Sequence, residues 1–493
     1  MRLQQADVAV IGAGTAGMAA WRAATQAGAH AVLIEAGAFG TTCARVGCMP
    51  SKLLLAIAHG VHNARQLRPR GINGTAALQI DGRLVMQFVR RERDRFVNTV
   101  LKEVASIPPE CVIRGNARFA ASSGSRHRLL IDDAWQLEAN SVVIATGAVP
   151  TVPSEFNVFG KQLLTSDDIF ELEALPQRLA VFGAGPLALE LAQGLSRLGV
   201  DVSVFGRDGK VAGITDKTVR EALTKSLASE FYFDPDATIH DMSLEGGVPT
   251  INFRDINGVT QREQFDFVLV ATGRRPNLKP LMLEHTGIAL DEQGTPCFDP
   301  ASMQCGASSI LMAGDCDGTR PWLQDASDEG QLAGENAARF PDIRRIARKV
   351  PFSVAFCQPQ IALVGVSIKP SDERAVVAGF VSFEDQGRSR VEGQAHGALR
   401  VYAEASSGRL LGAQLCGPQA EHLGHLLAWA VQLRLSVDEA LALPFYHPVV
   451  EEGLRTALQD ARSKLHARRG ETESALAAAA GCQDEPVLLR RPG

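Results

Sequence analysis

The chain has 493 residues, 45% of them hydrophobic and 21% charged, so it is too long for one ordinary core and predicts several domains. Its formal net charge of -5 gives no electrostatic reason to expect nucleic acid or an anionic membrane as a partner, and no apolar run approaches the roughly 18 residues that cross a bilayer. Nine scattered cysteines, an odd number, are unlike a secreted disulfide framework and predict a reducing cytoplasm as the location.

Residues 8–35 predict a strand, a tight turn, a helix and a second strand. Gly12, Gly14 and Gly17 form a G-x-G-x-x-G motif before the helix, and Glu35 ends the second strand. In a dinucleotide-binding βαβ unit such glycines permit the turn, the approach of a pyrophosphate and the packing of helix on strand, while the acid accepts hydrogen bonds from ribose hydroxyls. Because strand, helix and acid are all in place, we expect a dinucleotide site here.

Two cysteines, Cys43 and Cys48, follow this unit in what resembles the start of a helix. Structural thiols, a metal clip and a redox-active disulfide are the alternatives. Nothing nearby supplies the other two ligands of a zinc site. Five residues of ideal helix rise roughly 7.5 Å, more than the 4.4 to 6.8 Å that a disulfide spans, so a bridge would distort the turn, and Gly47 would permit this. Because the pair follows a dinucleotide-binding unit by eight residues, we favour a redox disulfide.

The βαβ pattern occurs a second time. Gly183, Gly185 and Ala188 occupy the three glycine positions, again between a strand and a helix. The spacing from Gly183 to Gly206 equals that from Gly12 to Glu35, so Gly206 stands where the first unit has its ribose-binding acid. A second nucleotide site is predicted, with a difference at the position that contacts the ribose.

Each unit is followed by an apolar strand that ends in Ala-Thr-Gly, at residues 145–147 and 271–273, so the duplication extends beyond the βαβ fold. A later strand ends at Gly314 and Asp315. From about Pro351 the pattern changes to alternating strands and a helical run, which predicts an α+β domain without a nucleotide motif.

These motifs in combination resemble the flavin-dependent pyridine nucleotide-disulphide oxidoreductases, above all the dihydrolipoamide dehydrogenase branch, over nearly all of the chain to about residue 465. The resemblance implies an α/β fold with two Rossmann-like nucleotide-binding domains and a C-terminal α+β domain that forms a homodimer. The implied domains are residues 1–150 and 279–348 for FAD, 151–278 for NAD(P) and 349–466 for dimerisation, with 467–493 as a mobile tail.

The resemblance also implies two sets of cofactor-binding residues. The predicted FAD contacts are Gly12, Gly14, Gly17, Glu35, Thr42, Lys52, Thr146, Gly147 and Asp315. The predicted nicotinamide contacts are Gly183, Gly185, Ala188, Arg207, Lys210 and Gly273. No metal is expected.

Roles in catalysis follow from the same resemblance. Cys43 would be the thiol that exchanges with the substrate and Cys48 the thiol beside the flavin. Lys52 would pair with Glu190 near the flavin. His447 of the partner subunit would act as acid-base catalyst, with Glu452 orienting it, because thiol exchange at neutral pH needs a proton carrier.

The nicotinamide site departs from the family pattern. Dihydrolipoamide dehydrogenases usually carry glutamate where this chain has Gly206. Arg207 and Lys210 follow and could bind a 2′-phosphate, so NADP(H) is the preferred hypothesis. NAD remains the alternative, in which these are solvated turn residues whose charge Asp208 partly cancels.

The substrate site departs as well. Phe445, Val449 and Glu451 replace the usual histidine, threonine and serine around His447, which weakens the lipoamide assignment. Mercuric reductases end in two adjacent cysteines, whereas this tail has only Cys482, and glutathione reductases usually read Pro-Lys-Lys where this chain has Pro50, Ser51 and Lys52. We predict an enzyme that passes electrons between NAD(P)H and a small disulfide, with dihydrolipoyl groups as the preferred substrate. A glutathione-type disulfide, mercuric ion or a redox-sensing flavoprotein are the alternatives.

Overall fold

The computed structural model describes residues 2–121, 126–366 and 375–481. It divides into two compact units. The first contains the described residues of Met1–Val211 and Glu230–Lys349, and the second those of Ala212–Ser229 and Val350–Gly493.

The described helices are α1 (Thr15–Gln26), α2 (Thr42–Val46), α3 (Cys48–Arg65), α4 (Gly82–Ala105), α5 (Pro186–Arg197), α6 (Lys217–Ala228), α7 (Leu323–Arg339), α8 (Gly387–Glu392), α9 (Ala420–Gln432), α10 (Val437–Leu441) and α11 (Glu451–Gly481). Short 3-10 helices lie at Arg68–Arg70, Thr75–Ala77, Pro109–Cys111, Ser154–Gln162, Ile169–Glu171, Lys279–Leu281, Leu283–His285 and Asp315–Asp317.

The described strands are β1 (Arg2–Ile11), β2 (Ala31–Glu35), β3 (Val112–Arg114), β4 (Ala117–Ala120), β5 (His127–Ile131), β6 (Trp135–Ile144), β7 (Ala148–Pro150), β8 (Leu163–Thr165), β9 (Arg178–Phe182), β10 (Asp201–Phe205), β11 (Tyr232–Asp234), β12 (Thr238–Glu245), β13 (Val248–Arg254), β14 (Thr260–Gln264), β15 (Phe267–Val270), β16 (Arg274–Pro276), β17 (Phe298–Asp299), β18 (Gln304–Cys305), β19 (Ile310–Met312), β20 (Phe352–Ala355), β21 (Gln360–Gly365), β22 (Val376–Ser382), β23 (Ala398–Glu404) and β24 (Leu410–Gly417).

The first unit contains two sheets built on the same plan. One runs β17-β18-β19-β6-β1-β2-β3, with β5 antiparallel to β6 and β4 antiparallel to β5, and the other runs β11-β10-β9-β15-β8. The pairs β1–β2 and β9–β10 are parallel, as βαβ units require. Their turns match in detail, because Gly12 N–H donates to Ile34 O at 2.7 Å and Gly183 N–H to Phe205 O at 2.8 Å. The predicted duplication is confirmed.

The two Ala-Thr-Gly segments occupy equivalent places. Ala145 N–H donates to Ile11 O and Ala271 N–H donates to Phe182 O, both at 2.8 Å. Beyond these segments β7 and β16 pair antiparallel. This pairing joins the two stretches of chain that directly follow the Ala-Thr-Gly segments.

Helices α1 and α7 cross at backbone contact. A Cβ atom added to Gly330 would lie 2.2 Å from Ala16 O, and one added to Gly334 would lie 2.1 Å from Ala20 O. No side chain fits at such distances, so these glycines set the helix spacing. The contact fixes α7 against the helix that begins the first dinucleotide unit.

The second unit is an antiparallel sheet, β20-β21-β24-β23-β22, with helices packed on it. Helix α6 belongs to this unit although it follows β10 in sequence. Its N-cap, Asp216, accepts a hydrogen bond from the Tyr402 hydroxyl at 3.0 Å, and Gln414 Oε1 accepts from Thr215 N and Asp216 N at 2.9 Å each. A helix that falls within the predicted domain 151–278 thus packs beside the C-terminal sheet.

The predicted fold class, two Rossmann-like domains followed by an α+β dimerisation domain, is confirmed. Helix α11 continues to Gly481, so residues 467–481 of the predicted mobile tail are helical. The rest of that tail, including Cys482, lies outside the described residues. Within the described residues, no helix is both long and apolar enough to cross a membrane.

Candidate functional site

The first glycine turn forms the floor of a cavity in the first unit. Gly14 is the N-cap of α1, and a Cβ atom added to it would meet only open space. The Thr146 hydroxyl lies buried there without a hydrogen-bond partner among the described residues. Glu35 accepts from Ala13 N at 2.7 Å and from Gly37 N at 2.6 Å, so its carboxylate is fixed at the end of β2. The open glycine and the unpaired hydroxyl fit a bound dinucleotide phosphate.

A second cavity adjoins the first and lies beside the cysteine pair. The two cavities share Gly14, Thr42, Ala145 and Gly147. The second cavity is also lined by Thr15, Ala16, Cys43, Val46, Gly47, Cys48, Ser166, Leu187, Arg274, Ala313, Gly314, Asp315, Pro321, Leu323 and Ala326. A dinucleotide cradle and two thiols therefore lie in adjoining cavities, which is the arrangement that an FAD with its flavin beside the cysteines would need.

Cys43 and Cys48 lie on two helices that are separated by a break. Cys43 is in α2 and Cys48 begins α3, with Gly47 between them at φ -121° and ψ -115°. A Cβ atom on Gly47 would lie 3.3 Å from Cys43 Cα and 3.1 Å from Thr42 O. The chain folds back tightly at the residue that the sequence indicated. Both cysteines are free thiols in this structure.

The two thiols share one proton unequally. The Cys43 thiol donates a hydrogen bond to Cys48, and this bond together with the Lys52 ammonium lowers the pKa of Cys48 to about 7 against the opposing effect of desolvation. The same hydrogen bond and burial raise the pKa of Cys43. Cys48 is therefore the thiolate of the pair and Cys43 holds the proton.

Lys52 and Glu190 form an ion pair beside the thiols. Lys52 Nζ lies 2.7 Å and 3.0 Å from the two Glu190 oxygens. Glu190 is 3% exposed on α5, and Lys52 lies one turn after Cys48 on α3. The predicted pair is present, and it joins the cysteine helix to the helix of the second nucleotide unit.

Asp315 lies in the cavity wall with an arginine nearby. Burial raises the pKa of Asp315, and the Arg274 guanidinium partly opposes that rise. Arg274 contacts Asp167 at 2.7 Å and donates to Ala148 O at 2.7 Å, while its Nε is buried without a hydrogen-bond partner among the described residues. Arg274 thus links β16, β7 and the loop after β8 around the cavity.

The second glycine turn is open like the first. Added Cβ atoms at Gly185 and Gly273 would meet nothing within 4 Å, whereas one at Gly183 would lie 2.4 Å from Ala271 O. Ala188 is buried in α5. These residues fit a second dinucleotide, with Gly185 facing the ligand and Gly183 making the turn.

The ribose position of this second turn is closed to side chains. A Cβ atom on Gly206 would lie 2.6 Å from Pro235 O. The Arg207 side chain is 93% exposed, with Nε 4.0 Å from Asp208 Oδ1, and Lys210 Nζ lies 3.2 Å from Asp208 Oδ2. The two cations therefore lie on either side of one carboxylate.

In the second unit, His447 and Glu452 are hydrogen-bonded. His447 Nδ1 lies 2.9 Å from Glu452 Oε1, which lowers the pKa of Glu452. Because the carboxylate accepts from Nδ1–H, the other ring nitrogen, Nε2, is left to exchange protons. The His447 side chain is 80% exposed, whereas Phe445 packs against the core of the unit.

Comparison with known proteins identifies the family. The pyridine nucleotide-disulphide oxidoreductase model matches residues 6–330, and the dimerisation domain of the same family matches residues 351–458. The chain belongs to the pyridine nucleotide-disulphide oxidoreductases. The resemblance stated from the sequence is confirmed.

The proteins that are similar to this oxidoreductase are named as different enzymes. A mercuric reductase of Shigella flexneri is 31% identical over 92% of this chain and 80% of its own. Dihydrolipoyl dehydrogenase 2 of Haloarcula marismortui is 28% identical over 94% and 98%. The structure of LpdA from Mycobacterium tuberculosis has the same fold, with a TM-score of 0.77 and 24% identity over 92% of this chain and 99% of that one. These relatives share one family but are named for different substrates.

Several residues of this oxidoreductase's cavity were not predicted from the sequence. Arg274 directly follows the second Ala-Thr-Gly segment, but only its contacts reveal the link to Asp167. Arg45 and Asn116 line the cavity at the first glycine turn, and no motif marks them. Among the described residues, no cluster of three or more His, Cys, Asp or Glu could hold a metal ion.

Proposed function

We propose that this oxidoreductase is an FAD-dependent dithiol–disulfide enzyme that passes electrons between NADP(H) and a small disulfide, with a dihydrolipoyl group as the preferred substrate. The observation that carries the proposal is the Cys43–Cys48 dithiol in the wall of a cavity that adjoins the cavity of the first glycine turn. When bound there, the flavin would exchange an electron pair between the nicotinamide and the two cysteines. Gly12, Gly14, Thr146 and Asp315 are the residues that would hold it.

The cysteines carry out thiol exchange with the substrate. The Cys43 thiolate attacks one sulfur of the substrate disulfide, the substrate S–S bond breaks, and the leaving sulfur takes a proton. The Cys48 thiolate then attacks the Cys43 sulfur, closes the Cys43–Cys48 disulfide and expels the second substrate sulfur as a thiolate, which takes a proton from solvent. Two electrons reduce the substrate and the cysteine pair is oxidised. The reverse sequence oxidises a dihydrolipoyl group.

This sequence needs a base, because Cys43 holds the shared proton at its start. We assign that base to His447 of the partner subunit, as the family resemblance implies. Its bond to Glu452 holds Nδ1, so Nε2 can take the proton of Cys43 and give it to the leaving sulfur. The matched dimerisation domain at residues 351–458 supports a homodimer.

The preference for NADP(H) is argued from the closed ribose position. A carboxylate that accepts from the ribose 2′-OH cannot be accommodated at Gly206 while Pro235 stays in place. Arg207 is exposed and held only loosely by Asp208, so it is available to a 2′-phosphate. Asp208 also pairs with Lys210 and weakens that charge, which is the argument for NAD as the alternative.

Mercuric ion is the second candidate substrate. Two mercuric reductases are 30% and 31% identical to this chain over most of its length, and thiolates are preferred ligands of soft metal ions. A redox sensor that reduces its own disulfide once, without turnover, is the candidate that is not an enzyme. A cytoplasmic location remains a prediction.

Steady-state kinetics with lipoamide, oxidised glutathione and mercuric ion, each against NADH and NADPH, tests the proposal. We expect continuous NADPH oxidation with lipoamide and none in Cys43→Ser. A single reduction without turnover on any disulfide would contradict the enzyme assignment, and turnover on mercuric ion alone would replace the lipoyl substrate. A Cys297→Ser variant serves as a control, because Cys297 is an exposed thiol that does not line the cavity.

A further inference from the structure

A buried carboxylate stands behind the loop that presents Asp315 to the cavity. Glu329 lies on α7 and is 4% exposed. Its Oε2 accepts a hydrogen bond from Gly314 N at 2.8 Å. Gly314 has φ +78° and ψ -163°, a backbone conformation that side chains rarely adopt. The loop therefore has a conformation of low intrinsic stability, and Glu329 is the side chain that binds it.

One arginine contacts two buried carboxylates behind this loop. Arg348 Nη2 lies 2.7 Å from Asp317 Oδ2 and 2.9 Å from Glu329 Oε1. The contact with Oε1 lacks hydrogen-bond geometry, and no other described residue donates to that oxygen. With both acids ionised, two negative charges face one positive charge, which leaves a net charge of -1 in a buried site.

The surrounding elements do not offset this charge. Asp325 on α7 is a further negative charge that raises the pKa of Glu329, and Arg320 is paired with Asp325 at 3.3 Å. Helix α1 faces α7 with Ala16 and Ala20, and the strands β6 and β19 contribute apolar side chains. Burial and the charge of Asp317 raise the pKa of Glu329 to about 7. A proton on Glu329 removes the net charge.

We propose that Glu329 is a proton-linked positioning residue for FAD: it holds the loop of Gly314 and Asp315, and it takes up a proton from solvent when the cofactor binds. The inference rests on the proposed function, because it requires FAD in the cavity. A bound dinucleotide brings a negatively charged pyrophosphate and displaces water, and both effects favour the neutral carboxyl group. The pKa of Glu329 is thus higher in the complex than in the free protein.

The sign of the pH dependence follows from that difference. Where binding raises a pKa, the affinity is greatest below the pKa of the free protein and falls as the pH rises through the pKa of the complex. FAD affinity should therefore be constant below about pH 6.5 and fall above about pH 7. A rise of one pKa unit corresponds to a tenfold loss of affinity at high pH.

The test measures FAD release from the full-length holoprotein by flavin fluorescence between about pH 6 and pH 9. All proteins carry Cys48→Ser, because the Cys48 thiol titrates in the same range. We expect the parent to lose affinity about tenfold across this range. Glu329→Gln should bind FAD within about threefold of the parent at pH 6 and show a flat profile, since the amide oxygen still accepts from Gly314 N. Glu329→Ala should bind about 10- to 100-fold more weakly.

Two further variants keep the test decisive if Glu329→Ala folds poorly. Asp317→Asn removes the charge that raises the pKa of Glu329, so the pH profile should flatten. Glu335→Gln, on the same helix and paired with Arg344, should keep the parent profile. A Glu329→Gln profile that equals the parent's, or a Glu329→Ala affinity equal to the parent's, would overturn the inference while FAD binding stands. A parent that binds no FAD would instead refute the proposed function.

Discussion

The Lys52–Glu190 pair gives opposite predictions for its two members. The Lys52 ammonium lowers the pKa of Cys48 and the Glu190 carboxylate raises it, although the hydrogen bond from Cys43 and burial are larger effects. Lys52→Met leaves a buried negative charge, whereas Glu190→Gln leaves the ammonium unopposed. The first variant should therefore raise the pKa of Cys48 and the second should lower it.

The expected shift is about one unit upward in Lys52→Met and a smaller one downward in Glu190→Gln. A charge within about 4–6 Å moves a pKa by about 1–3 units, and we take the lower end for Lys52 because it is a smaller cause than the Cys43 hydrogen bond, while Glu190 is a smaller cause still. From a pKa of about 7, Cys48 should move to about 8 in Lys52→Met and to between about 6 and 7 in Glu190→Gln. The pKa of Cys48 is lowered from 9.0, so its thiolate is present at high pH and lost as the pH falls through these values.

The assay is the rate of iodoacetamide alkylation of Cys48 against pH, followed by mass spectrometry so that other thiols do not interfere. Each protein carries Cys43→Ser, whose hydroxyl keeps a hydrogen-bond donor beside Cys48. Lys52→Arg is the matched control, because it retains the positive charge. Because unpairing a buried ion can cost about 3–5 kcal/mol, thermal unfolding must first show that each variant is folded. If the pKa of Cys48 shifts in the same direction in Lys52→Met and Glu190→Gln, or shifts in neither, the reasoning is refuted.

Three other predictions concern the base, the nicotinamide and the fold. His447→Ala should lower disulfide turnover by about 100-fold or more while flavin reduction by the nicotinamide persists, and heterodimers with Cys43→Ser chains should regain one active site. Heterodimers confirmed by mass that stay inactive would contradict the shared site. Arg207→Ala should lower kcat/KM for NADPH by about 10- to 100-fold through the loss of a charge-assisted hydrogen bond and barely affect NADH, so equal losses would exclude a 2′-phosphate contact. Gly334→Ala should lower the free energy of unfolding by about 1–3 kcal/mol, because its Cβ would lie 2.1 Å from Ala20 O. Gly60→Ala is the control: its Cβ would meet open space on α3, so it should raise the free energy of unfolding by up to about 1 kcal/mol. Equal effects of the two variants in a denaturant titration would contradict the close packing of α1 and α7.

The two nucleotide turns and the cysteine pair could be predicted from the sequence because the information is local. A turn that must leave a strand, approach a phosphate and begin a helix needs glycine at fixed spacing, and Gly12, Gly14, Gly183 and Gly185 have that spacing. The break at Gly47 followed from the distance between Cys43 and Cys48 along a helix. Such constraints act within one turn of chain, so no tertiary contact is needed to recognise them.

Contacts between distant residues were decided by the tertiary structure. Lys52 and Glu190 are 138 residues apart, and from the sequence their pairing came only through the family resemblance. Glu329 and Gly314 are joined only because α7 folds back onto the strand that precedes it. Pro235 closes the position of Gly206, and helix α6 packs with the C-terminal sheet, although neither has a marker in its own segment. These features depend on how side-chain volumes and charges meet after elements pack, which local sequence patterns do not encode.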